Sequence, residues 1–252
     1  MNFLRVFATD LRQVLSWRLV FAIIITLIIY GFAGLGFIGE NTDVWYIVGM
    51  AVWGSTAFFT LFTIPSFVFS SAIAMDWQDK ATRYWIIRIG SDRYTVSKLL
   101  ACAIAGFLAH FIAALLLIVI LSAKFPLYIQ GSSTEVYERT LMQNGRPLIG
   151  MLLFIADRSM QAVIAAEIGM VISVFFTHPY VAVAAPLGII LTMSRLIYKY
   201  KLPSVIDMLN WNTISAETAG ATVLYKFLLT FFYTILFSCI AVYGMRRKIA
   251  HE

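Results

Sequence analysis

Charge is what this sequence has least of. Asp, Glu, Lys and Arg make up 13% of its 252 residues, about half the share of a typical soluble domain. With 61% of the chain apolar, there is too little polar surface to cover it in water. That excludes an ordinary soluble enzyme and a disordered segment. Cysteine is nearly absent: Cys102 and Cys239 stand apart inside apolar runs, so neither a disulfide-stapled fold nor a thiolate metal site is expected. There is no G-x-x-x-x-G-K-[ST] loop to hold ATP phosphates, no H-E-x-x-H, no C-x-x-C and no G-x-S-x-G, so these chemistries are excluded for this chain. The three histidines, His110, His178 and His251, fall in separate segments and do not compose a metal site. No fixed-period repeat and no Gly/Pro/Ser linker divides the chain, so residues 1–252 are read as one membrane domain.

What the sequence does have is long uncharged runs. A bilayer core needs about 20 apolar residues of helix. Six runs meet or approach that length: 19–39, 44–75, 99–123, 159–177, 179–194 and 227–245. The first is too long for a cleavable signal and is not followed by a small-x-small site, so it is read as a span. The second is longer than a span requires and contains Pro65, which predicts a kinked or tilted span with an extended end. The fourth and fifth are separated by His178 alone, which predicts a tight helical hairpin. The expected fold is therefore an all-α integral membrane protein with six transmembrane helices.

Six spans put both ends on one side. With that side inside, the inner segments carry eleven basic residues and the outer ones seven, with Arg158 at a span entrance. The excess predicts cytoplasmic termini. The net charge of +6 then follows from inner loops facing anionic lipid, and no nucleic acid partner is implied.

Three segments are not plain spans. On a helical wheel Phe3, Leu4, Phe7, Leu11, Val14 and Leu15 share one arc opposite Arg5, Thr9, Arg12 and Ser16. This predicts an interfacial helix over 1–18. Residues 76–98 form the largest inner segment: a helix through about Ile87, a turn at Gly90-Ser91, and a new helix capped by Ser91 or Asp92. Its mixed charges and its aromatics Trp77, Tyr84 and Trp85 fit either protein docking or a solvated interfacial loop. Residues 195–226, with apolar stretches on both sides of Asn210, predict a helical outer excursion dipping back toward the membrane. The other outer loop, 124–147, is polar.

Two titratable residues fall inside spans. Glu167 is costly there and open to several readings: a protonated acid within the bundle, a pair with His110 or Arg158, or a lining residue of a transport route. His110 is read as an interhelical hydrogen-bonder or a second pathway residue. Small residues (Ala162, Ala165, Ala166, Gly169, Ser173, then Ala182, Ala184, Ala185, Gly188) predict close packing of the fourth and fifth spans.

A surface helix, two spans, an inner helix with a D…D-K-A-T…R…G-S-D-R-Y…S-K pattern, and four further spans with a helical outer excursion before the last together resemble the permease subunits of type-2 ABC transporters, small bacterial ones above all. Asp76, Ala81-Thr82, Asp92-Arg93 and Lys98 stand at the places of that family's acid, small pair, Ser-Arg and Lys; Ala81 and Asp76 depart from its usual Gly and Glu. The resemblance covers the whole chain and implies a bacterial cytoplasmic membrane. It implies two permease subunits, identical or sister, working with two separate ATPase subunits that hold ATP and Mg. This chain would then be neither an enzyme nor a binder of cofactors. Residues 79–89 would be a cytoplasmic coupling helix, and Asp76, Asp79, Lys80, Arg83, Tyr84, Trp85, Arg88 and Arg93, with His178 at a second smaller contact, would serve ATPase coupling. Residues 1–18 would be the connecting helix and 205–222 would close the outer end of the pathway. The expected cargo is hydrophobic or amphipathic: a peptide, a lipid or a drug-like molecule. A proton-coupled carrier using Glu167 and a non-transporting sensor or assembly subunit are the rival readings.

Overall fold

The computed structural model describes residues 3–39, 42–53, 55–129, 144–203, 206–207 and 219–251, and no strand occurs among them. Its helices are α1 (Phe3–Val14), α2 (Trp17–Leu35), α3 (Val44–Trp53), α4 (Ser55–Phe69), α5 (Ala72–Gln78), α6 (Ala81–Ile89), α7 (Ser91–Ser122), α8 (Pro147–Phe175), α9 (Pro179–Tyr200) and α10 (Ala219–Ala250). Among the described residues six stretches are long and apolar enough to cross a bilayer: Trp17–Leu35, Phe59–Gln78, Ser91–Ser122, Pro147–Phe175, Pro179–Tyr200 and Gly220–Ala250. The protein is an all-helical, multi-pass membrane protein.

Local chemistry sets the helix ends. Asp43 caps α3: its Oδ1 accepts from the Tyr46 amide at 2.7 Å, satisfying a first-turn donor. Its Oδ2 accepts from the Ile129 amide at 2.7 Å, which ties the chain after α7 to the start of α3. Pro147 and Pro179 open α8 and α9, where a missing amide hydrogen costs nothing. Lys201, at φ 51°, ends α9 in the left-handed conformation.

At the centre is α8, packed against α4, α7, α9 and α10. The approach is close because the contact residues are small. A Cβ on Gly169 would lie 2.5 Å from the Ala182 carbonyl oxygen and 2.8 Å from Ser70 Cβ; one on Gly106 would lie 2.9 Å from the Ala162 oxygen. Hydroxyls bond across this seam. Ser66 donates to the Ala165 carbonyl at 3.1 Å and Ser70 to the Ala166 carbonyl at 2.8 Å, interhelical bonds that no water competes for inside a membrane. Ala184 and Gly188 of the small-residue set face outward instead.

Several sequence expectations are corrected. The run 44–75 holds one crossing, Phe59–Gln78, preceded by α3. α4 continues through Pro65, and the chain turns instead at Ser70-Ser71, consistent with the tolerance of membrane helices for proline. α8 begins at Pro147, twelve residues before the expected Ser159, and carries Asp157 and Arg158 inside the bundle. α9 is not short, because Arg195 and Lys199 lie within it. α10 begins before Lys226, which is therefore no loop residue. On α1 the buried face is Val6, Asp10 and Val14, turned to α7, while Leu4 and Leu15 are exposed. Most of the 205–222 excursion and of the 124–147 loop lies outside the described residues.

Candidate functional site

Both chain ends, the α5–α6 corner and the α8–α9 turn meet at one basic end of the bundle. Lys98 organises it. Its Nζ lies 3.2 Å from Asp10 of α1 and 3.1 Å from Asp76 of α5, and it donates to Gln13 Oε1 at 3.1 Å. Tyr94 donates to Asp76 at 2.7 Å, and Ser97 donates to Asp10. Lys98 and Asp10 are buried. Two carboxylates and an amide oxygen around one ammonium compensate its desolvation. The network joins α1, α5 and α7, and the wheel reading of 3–18 missed it because that reading looked for apolar residues and passed over Asp10.

The 76–98 segment breaks where no break was expected. α5 ends at Gln78, Lys80 adopts φ 58°, and α6 starts at Ala81; Gly90, at φ 83°, then separates α6 from α7. Neither Ser91 nor Asp92 caps α7. Ser91 bonds Asp92, and Asp92 takes the Arg246 guanidinium, whose Nε donates at 2.8 Å. The buried side of α6 is Thr82 and Ile89, with Trp85 and Ile86 packed against the core. Its outer side carries Arg83, Tyr84, Ile87 and Arg88, with Ile87 86% exposed and Tyr84 50%. The Arg88 guanidinium sits over the Tyr84 ring at 4.2 Å.

The candidate residues thus separate. Asp76 faces inward in the Lys98 network and Trp85 is half-buried, whereas Asp79, Lys80, Arg83, Tyr84, Arg88 and Arg93 are exposed. His178 is exposed in the α8–α9 turn, and that turn is fixed beside α5 by the Gln78 side chain, which donates to the Thr177 carbonyl at 2.8 Å. Asp79 and His178 line one groove of about 770 Å³, with Trp17, Met75 and Tyr180.

The bundle interior holds a second polar cluster that the charge count did not foresee. Lys226 of α10 donates to Asp157 of α8 at 2.8 Å, with both side chains buried. Arg158 packs over the Phe154 ring at 5.4 Å and reaches Gln161. His110 does not meet Glu167. Its Nδ1 lies 3.0 Å from Ser159 Oγ, whose own proton goes to the Ile155 carbonyl at 2.6 Å. The His110 Nε2 has no hydrogen-bond partner among the described residues, and the ring packs edge-on against Tyr30 at 5.6 Å. Glu167, fully buried about two turns from Ser159 toward the basic end, has no hydrogen-bond partner of normal geometry on either oxygen among the described residues; Thr234 lies beside it.

No family model, curated protein or solved structure matches this chain. Its six apolar crossings among the described residues make it a multi-pass membrane protein.

Proposed function

We propose that this chain is the membrane-spanning subunit of an ATP-driven ABC exporter, acting with a second permease subunit and two separate ATPase subunits on a hydrophobic or amphipathic cargo. One observation carries the reading. A short helix with an exposed outer face, α6, and a second short turn, 176–178, tied to the end of the preceding α5 by Gln78, both stand at the basic end. Charged residues around an 86%-exposed isoleucine have the character of a docking face, with an apolar anchor and a polar rim. In this reading the basic end is cytoplasmic. Closure of the ATPase pair on ATP displaces α6, and the Lys98 network passes the displacement to α1 and α7.

Reversing charge on the exposed face tests this. Arg83→Glu and Arg88→Glu are expected to insert normally and to lose substrate-stimulated ATPase activity at least tenfold in the reconstituted complex. If both variants transport as the parent does, α6 is not the docking element. The isolation of Glu167 favours a second reading, a proton-driven carrier. In that case uptake follows a pH gradient without ATP and Glu167→Gln abolishes it.

A further inference from the structure

The groove of about 770 Å³ lined by Asp79 and His178 lies where three crossings meet the membrane surface. Trp17 opens the first crossing, Gln78 ends the second and Pro179 opens the fifth, and all three residues line it. Its polarity changes with depth. Arg18, Asp79 and His178 stand at the helix ends, whereas Phe67 on α4 and Val183 and Ala184 on α9 line it a turn or more farther into the spans. The Trp17 ring meets Phe21 at 6.2 Å, and Phe21 meets Phe67 at 6.2 Å, so an aromatic wall continues inward from Arg18.

The ionic groups of this groove are unmatched. Both terminal nitrogens of Arg18 face the Met75 sulfur at 3.7 Å, a weak acceptor. Neither Arg18 nor the exposed Asp79 takes part in an ion pair among the described residues. A guanidinium at the rim of the hydrocarbon calls for an oxyanion, which it can hold through two parallel N–H donors. An open carboxylate calls for a cation that donates hydrogen bonds. We propose that this groove holds a zwitterionic aminophospholipid of the phosphatidylethanolamine type, its phosphate on Arg18, its ammonium on Asp79 and an acyl chain along Phe67 and Val183. The headgroup carries one charge of each sign, as the groove does. Phosphatidylcholine has no N–H to give Asp79, and phosphatidylglycerol brings no cation to it. A volume of this size suits a headgroup with the upper part of its chains. A soluble phosphate ester would leave the apolar inner part uncovered. The inference goes beyond the exporter reading: the lipid is bound from the surrounding leaflet and is not the cargo. Its binding needs no ATPase, so its failure leaves that reading untouched.

The test is native mass spectrometry of the purified full chain, released from detergent micelles that contain equal amounts of dioleoyl phosphatidylethanolamine, phosphatidylcholine and phosphatidylglycerol. One phosphatidylethanolamine per chain is expected to survive, at least fivefold over either competitor. Asp79→Asn should bring the preference over phosphatidylcholine below twofold while lipid still binds. Arg18→Met should weaken phosphatidylethanolamine retention at least tenfold, with Arg18→Lys restoring part of it. Ala184→Trp, which fills the groove from an exposed position and leaves both charges intact, should abolish retention in a chain that unfolds at the parent's temperature in lipid-free micelles. O-phosphoethanolamine in large excess should displace nothing. No retained lipid, or equal retention of the three, overturns the proposal. So does parent-like retention by Ala184→Trp or a parent-like preference in Asp79→Asn. Displacement by O-phosphoethanolamine would make the ligand a soluble ester and overturn the lipid assignment.

Discussion

Lys226 and Asp157 show how much one buried pair can hold in this bundle. Both side chains are nearly inaccessible and 2.8 Å apart. Lys226→Met is therefore expected to destabilise by about 3–5 kcal/mol, since Asp157 would keep a buried charge without its counter-ion. Adding Asp157→Asn should restore most of the loss. Thermal unfolding in mild detergent reads both, and a single variant as stable as the parent would show that the pair adds nothing. These residues also show where sequence reading fails. Lys226, Asp157 and Arg158 look like loop markers because isolated charges usually sit in water. Nothing in a linear sequence says that a lysine on one span will meet an aspartate sixty-nine residues earlier. Asp10 and Lys98 were hidden in the same way, while the exposed Arg83 and Arg88 were legible as surface charges because they stand in a segment too polar to cross a membrane.

At the level of elements, the helices themselves were legible and their faces were not. An uncharged run of twenty residues in a bilayer has one stable conformation, so each of the six crossings overlaps one of the apolar runs. Within the run 44–75 the turn at Ser70-Ser71 was not legible, since a break between two apolar helices leaves no mark in hydropathy. Which side of a span turns inward is also unmarked. α2 buries Leu19, Ala22, Thr26, Tyr30 and Gly34, and exposes Phe21, Ile24, Ile28 and Phe32, and both faces are apolar because lipid and protein core make the same demand. Small residues carried part of the answer. Gly169→Ala is expected to cost about 1–3 kcal/mol by forcing α8 from Ala182 and Ser70. Gly188→Ala, with nothing within 4 Å of its Cβ, should be neutral or stabilising by up to about 1 kcal/mol. Parallel unfolding of the two variants measures the contrast, and equal losses would mean that the close seam is not what holds these helices.

For the whole molecule, the common location of both termini, α6 and the α8–α9 turn at one basic end makes orientation a single question. A cysteine at Ile87 should react with a membrane-impermeant maleimide only after the membrane is opened, if the basic end is inside. Equal labelling of intact cells would reverse the assignment. Mechanically, the same end is not uniform. α6 is a rigid strut of about 13 Å joined to α5 through Asp79-Lys80 and to α7 through Gly90; Lys80 and Gly90 have positive φ, and the two joints differ in kind. Gly90 turns there at no steric cost, but Lys80 holds a conformation that costs a side-chain-bearing residue roughly 1–2 kcal/mol. The strut is thus preloaded at its α5 joint and slack at its α7 joint. On the exporter reading proposed above, a push on α6 that let Lys80 relax to right-handed geometry would draw on that strain, with Gly90 as the free joint.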